Sequence, residues 1–224
     1  MTAGGHGLSL PFARDGVRCD PSTTEEHTMA FALAPTMATR IADLYRRMEQ
    51  AYDIVARQLD FTCDGCPDNC CDSYFQHHTY LEWAYLWEGL KALPEARRKL
   101  ILERAADYAA KCEEALANGE RPVVMCPLNE EGRCALYAHR LMICRLHGVP
   151  SSLTLPNGQG KTFPGCPRCQ ELTRGRAAVP TVERTPLLRE LAMLEQELLG
   201  PQRGVLPKVK KTIADMIILG PPQL

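Results

Sequence analysis

The chain has 224 residues, 45% of them hydrophobic and 24% charged, with a formal net charge of -1. That is apolar material enough for one sizeable domain, and the balanced charge gives no general pull toward nucleic acid or an anionic membrane. No run approaches the roughly 18 apolar residues of a membrane-spanning helix, and Arg14, Asp15, Arg18 and Asp20 interrupt the stretch where a secretory signal needs continuity, so the chain reads as cytoplasmic.

Residues 1–36 are rich in Gly, Ser, Thr and Pro without periodicity and read as a disordered leader, with Met29 and Met37 as candidate starts. From Thr39 to Leu59, Ile41, Leu44, Tyr45, Met48, Tyr52, Val55 and Leu59 recur at spacings of three and four, which predicts an amphipathic helix. It leads into a first cysteine block, Cys63-x2-Cys66-x3-Cys70-Cys71. Thr79-x-x-Glu82 is a capping-box pattern opening a second helix to about Lys91, with Leu81, Tyr85 and Trp87 for burial. Pro94 begins a third, whose face of Ile101, Ala105, Tyr108, Cys112 and Leu116 ends at Asn118-Gly119. Cys112 lies on that face and reads as a small buried hydrophobe.

From Gly119 to Gln170 periodicity fails, and the stretch holds a second block: Cys126-x7-Cys134-x9-Cys144-x21-Cys166-x2-Cys169. A long irregular segment inside a domain needs something other than an apolar face to order it. Thr185-Pro186 opens another helix with Leu187, Leu191, Leu194 and Leu198 on one side, a packing stripe before a dimer seam. Gly200-Pro201 ends it, a short helix follows between Lys208 and Leu219, and residues 219–224 form a tail. The whole predicts a mainly α single domain over 37–218, with helices flanking an irregular, cysteine-rich region over 61–169 that metal staples together.

Eleven cysteines, an odd number, suit a fully paired disulfide framework poorly, and reduced cytoplasmic thiols gathered this densely point to zinc or an iron–sulfur cluster. Cys63 and Cys66 form a two-residue knuckle that aims both sulfurs at one ion. Adjacent side chains diverge, so one of Cys70 and Cys71 joins that knuckle while the other faces a second centre or bridges two ions. Asp60, Asp64, Asp68 and Asp72 surround the first block with no Lys or Arg from Asp60 to His78, whereas the second carries Arg121, Arg133, Arg140, Arg145, Lys161 and Arg168. Four thiolates around a divalent ion leave about two surplus negative charges. Arg140 and Arg145, on either side of Cys144, are the candidates to offset them. With so many thiolates at hand, His77, His78, His139 and His147 read as surface or supporting residues, and Tyr137 and Trp83 as core.

Gly160-Lys161-Thr162 looks like the end of a phosphate-binding loop, but the required earlier glycine is Leu155. No HExxH sequence, nucleophile elbow or dinucleotide fingerprint occurs.

The first block, with Cys126-Pro127-Leu128, Gly132-x-Cys134-x2-Tyr137-x2-Arg140-x3-Cys144-Arg145 and Gly165-Cys166-Pro167, resembles the YkgJ-type cysteine-cluster family, described as zinc- or iron-chelating. The resemblance covers about Phe61 to Pro167 and implies a metal-binding set of Cys63, Cys66, Cys70, Cys71, Cys126, Cys134, Cys144 and Cys166. Leu141 stands where the family usually has Pro, and Cys169 is an additional candidate ligand. A related cluster in the flagellin lysine methylase implies a group-transfer enzyme as the alternative; a zinc-stapled interaction scaffold is the third reading. The expected cofactor is an iron–sulfur cluster, Zn(II) or both, in a redox or maturation role. Metal ions are then the expected partners, without nucleic acid or membrane, and no protein partner is legible.

Overall fold

The computed structural model describes residues 32–63, 66 and 70–224. The leader up to residue 31, with Cys19 and Met29, and the flanking Asp64 and Asp68 lie outside the described residues. α1 (Pro35–Leu59) starts four residues before the periodicity does, because Pro35 fits a first helical turn, where no N–H partner is needed. Leu33 just ahead of it is buried, and its N–H donates to Glu88, so residues 32–36 belong to the domain and not to the leader. Asp60 closes α1 in the left-handed conformation.

α2 (Tyr80–Lys91) is the central helix. Its Leu81, Ala84 and Tyr85 pack with α1, while Tyr80, Trp83, Leu86 and Leu90 join a second apolar cluster against α3 (Glu95–Ala117). A helix buried on both sides needs firm ends. The Thr79 hydroxyl accepts from Glu82 N–H, and the Glu195 carboxylate accepts from the N–H groups of Tyr80 and Leu81 at 2.9 and 2.7 Å. Along α3 the expected face is buried from Ile101 to Cys112, but Leu116 in the last turn is exposed.

The stretch from Gly119 to Gln170 holds more regular structure than its composition predicts. β1 (Asn129–Glu130) and β2 (Arg133–Cys134) pair antiparallel, and α4 (Met142–Leu146) follows a 3-10 turn at Tyr137–His139. β3 (Ser151–Thr154) and β4 (Gly160–Phe163) form a hairpin, and α5 (Pro167–Thr173) comes next. β5 (Val182–Glu183) pairs parallel to β3, giving the order β4-β3-β5. Asn157-Gly158, a turn signal between two threonine-containing segments, marks the hairpin in the sequence.

α6 (Thr185–Leu199) buries Leu187, Leu191 and Leu194 against α1, as the stripe predicts. α7 (Ile213–Ile218) is shorter than the sequence suggests. It starts at a complete capping box, Thr212 with Asp215, and packs on α3. The tail is not loose: Trp83 Nε1 donates to the Gly220 carbonyl at 2.9 Å, and Pro222 is buried. The protein is mainly α, with seven helices among the described residues, and no helix is long and apolar enough to cross a membrane.

Candidate metal centre

The two cysteine blocks meet through the backbone. Cys126 N–H donates to the Cys71 carbonyl at 2.9 Å, and Ser73 bridges to Val123. Within the first block, Cys66 N–H donates to the Cys63 carbonyl at 3.2 Å, the turn expected of a two-residue knuckle. The β1–β2 hairpin then sets Cys134 opposite Asn129. Glu131 and Gly132, both at positive φ, make that hairpin turn, which explains the glycine in the sequence pattern.

Five thiols, Cys70, Cys71, Cys126, Cys134 and Cys144, line one cavity. It leaves about 60 Å³ for the centres of water-sized groups, several times what one water requires. Burial pushes Cys144 up to about 12, helped by Cys134 and Cys71 and opposed by Arg140. Cys126 and Cys134 are raised for the same reason, burial first. Cys71 runs the other way. The Cys70 thiol donates to its sulfur, and the Asn129 side chain and the Arg140 charge add to the stabilisation, so Cys71 is held below the ordinary thiol range while Cys70 is held above it.

A second thiol group lies beside the first. Cys166 N–H donates to the Gly148 carbonyl at 3.0 Å, and the Tyr52 hydroxyl stands 3.7 Å from Cys63 Sγ. Both Cys63 and Cys166 push Tyr52 up, after burial as the main cause, and both push up Cys169. Two glycines allow this crossing. A Cβ at Gly165 would stand 2.5 Å from the Gly148 oxygen, and one at Gly148 would stand 2.7 Å from the Tyr52 hydroxyl. Cys169 itself is fully buried in the apolar cluster around α1 and α6, and burial pushes it up to about 11.

The two candidate arginines do different things. Arg140 lies 4.5 Å over the Tyr137 ring, lines the cavity and favours the thiolates of Cys71, Cys134 and Cys144, with its Nε buried and unpartnered. Arg145 is buried instead in a structural clip. It donates to the carbonyls of Tyr137, Ala138 and Arg140 and covers the Tyr45 ring at 4.4 Å, and its effect on the thiols is confined to a small share of the Cys134 shift. Tyr137, expected in the core, is 49% exposed, because its ring carries Arg140 and its hydroxyl reaches Glu49. Trp83 is core as expected.

Sequence reasoning missed two residues. Glu82 is buried beneath the site, accepting from the Tyr45 hydroxyl and from Met142 N–H at 3.0 and 2.7 Å, so the capping residue of α2 also positions α4 and with it Cys144. Its capping-box pattern gave the local role only. His77, read as surface or supporting, is 1% exposed and lines the cavity; His78 is exposed, and His139 and His147 are partly buried.

The ten cysteines among the described residues are free thiols. Compared with protein-family models, characterised proteins and solved structures, the chain finds no match. Among the described residues, no three His, Cys, Asp or Glu side chains already stand as a group that would hold one ion. The sulfurs share walls and charges, and they are protonated where burial raises them.

Proposed function

We propose that the protein binds metal through its two adjoining thiol groups, holding an iron–sulfur cluster, zinc or both. The observation that carries the reading is the convergence of Cys70, Cys71, Cys126, Cys134 and Cys144, from three separate segments, on one cavity. Leu128, Leu141 and Ala214 supply apolar walls to the same cavity, so the thiols there are the soft donors of an otherwise mostly carbon-lined space. The donor set fits: soft thiolates suit zinc and iron–sulfur clusters, and binding would displace the protons that burial now favours. Cys63, Cys66 and Cys166 would serve the neighbouring group, with Cys169 the fourth sulfur on that side. Its depth in the core makes it the least accessible of the nine.

The chain's own contribution is to fix the ligands and balance their charge. The β1–β2 hairpin presents Cys134 and the turn leading into it presents Cys126, Glu82 holds α4 so that Cys144 faces the same space, and Arg140 offsets the excess negative charge. When bound, a cluster would supply one-electron chemistry and zinc would supply structural cross-linking. The resemblance to the YkgJ-type family agrees with this reading, and a redox or maturation role in the cytoplasm is the role we propose for it. A cluster-dependent group-transfer enzyme is the second reading, favoured by the apolar space beside the thiols.

Metal and acid-labile sulfide analysis of anaerobically purified protein tests the proposal. Brown protein with iron and sulfide supports a cluster, and colourless protein with about two zinc ions supports a zinc protein. Wild-type protein without stoichiometric metal, or Cys126→Ser and Cys144→Ser variants with unchanged metal content, would sink it.

A further inference from the structure

Among the described residues lining the cavity, Asn129, Arg140 and His77 carry a buried side-chain nitrogen without a partner; the first two act on the Cys71 thiol, and His77 is the one that the thiol reading leaves unexplained. His77 Nδ1 is buried and has no hydrogen-bond partner. An unpaired buried polar atom is destabilising, so a folded chain keeps one where a partner offsets the cost. The His77 backbone is held on both sides, its N–H donating to the Lys211 carbonyl at 2.7 Å and its carbonyl accepting from Lys211 N–H at 3.1 Å. That double bridge anchors the segment carrying the ring at the cavity wall.

Charge gives a second, independent reason. Arg140 is the one permanent cation among the described residues lining the cavity. Four thiolates around a divalent ion carry about two negative charges in excess, so Arg140 alone would leave one uncompensated among apolar walls. Three thiolates and a neutral imidazole around the same ion leave one excess charge, which Arg140 balances. The cavity supplies five thiols, more than one four-coordinate ion can use, so giving one position to nitrogen leaves sulfur to spare.

Resting on the metal-binding reading above, we infer that His77 supplies an imidazole nitrogen to the ion held in the Cys71, Cys126, Cys134 and Cys144 cavity, making that centre a mixed sulfur–nitrogen site. Imidazole with thiolate suits zinc and iron, and the Cys3His set is an ordinary closed zinc site.

The test is zinc-edge X-ray absorption on full-length protein reloaded anaerobically with Zn(II), comparing wild type, His77→Ala and His147→Phe. The expected wild-type spectrum contains one nitrogen per chain at about 2.0–2.1 Å with the outer-shell pattern of an imidazole, alongside the sulfur shell. His77→Ala loses that pattern and keeps its sulfurs, binding zinc about ten-fold or more weakly, and His147→Phe retains it. An all-sulfur wild-type shell, or an imidazole pattern that survives in His77→Ala, overturns the assignment and leaves the thiol reading standing. Wild-type protein that takes up no zinc overturns the His77 assignment, and the metal-binding reading falls with it only where the iron and sulfide analysis also finds no metal. If His77→Ala does not fold, the wild-type spectrum decides alone.

Discussion

At the level of single residues, the decisive contrast is between Arg140 and Arg145. Adjacent charges on either side of Cys144 look equivalent in the sequence, yet one faces the sulfurs and the other is spent on three carbonyls. Arg140→Gln should therefore raise the thiol titrations of Cys71, Cys134 and Cys144 together. The sign follows from the loss of a positive charge that favours thiolate. In the metal-free protein, alkylation of Cys71 measured against pH should move its midpoint upward, and metal affinity should fall about 10- to 100-fold, the usual cost of losing a group that supports the ligands. Arg145→Gln should instead lower stability and leave the Cys71 midpoint nearly in place. Equal midpoint shifts in the two variants would contradict this division. The difference between the arginines was not legible in spacing, because it depends on where the 3-10 turn at Tyr137–His139 aims its carbonyls.

At the level of elements, the helices were legible and the connecting pieces were not. α1, α2, α3 and α6 announce themselves through apolar periodicity and end signals, since each buries a continuous face. The β1–β2 hairpin, α4 and α5 are too short to show a period, and tertiary contacts fix their positions. Glu82 is the chief of these contacts, joining α2 to α1 through Tyr45 and to α4 through Met142. Burial raises its carboxyl, and the three hydrogen-bond donors around it oppose the shift. Glu82→Ala would strip the Tyr45 hydroxyl and Met142 N–H of their acceptor, costing about 3 kcal/mol by the usual worth of hydrogen bonds to a charged group. Urea denaturation should show that loss, with Glu82→Gln intermediate. A midpoint within error of wild type would mean that α4 is held by packing alone. The two cysteine blocks form one adjoining region, joined by the Cys126 to Cys71 backbone bond. The sulfur distribution within it needed the fold: Cys169 turns into the core, and His77 enters the cavity from a segment whose bridge to Lys211 no local pattern reveals.

At the level of the whole molecule, two apolar clusters flank α2, and the thiols stand mostly at their margins. The segment from Gly119 to His147 is held by the short β1–β2 hairpin, by Leu128, Leu136, Leu141 and Leu146, and by single polar ties such as the Glu82 bond to Met142 and the Arg97–Glu130 pair, whereas β3 is tied to β5 and its Thr154 N–H to the Thr185 hydroxyl. Structural zinc contributes about 10 to 16 kcal/mol in small domains, on the scale of a whole domain's net stability of about 5 to 15 kcal/mol. Chelation should therefore expose 119–147 to protease first and leave α1, α2, α3 and α6 protected. Limited proteolysis followed by mass spectrometry checks this. An unchanged cleavage map would show that the sulfurs do not hold that segment.

The double burial of α2 has a consequence for how the site can vary. Its flanking clusters are built from apolar side chains, with Cys112 and Cys169 as their two buried thiols. The frame is thus complete before any ligand is chosen. Under the metal-binding proposal, exchanging one marginal cysteine for histidine or aspartate would change which ion is preferred without asking the helices to repack, so metal choice could shift by single substitutions while the architecture stays fixed.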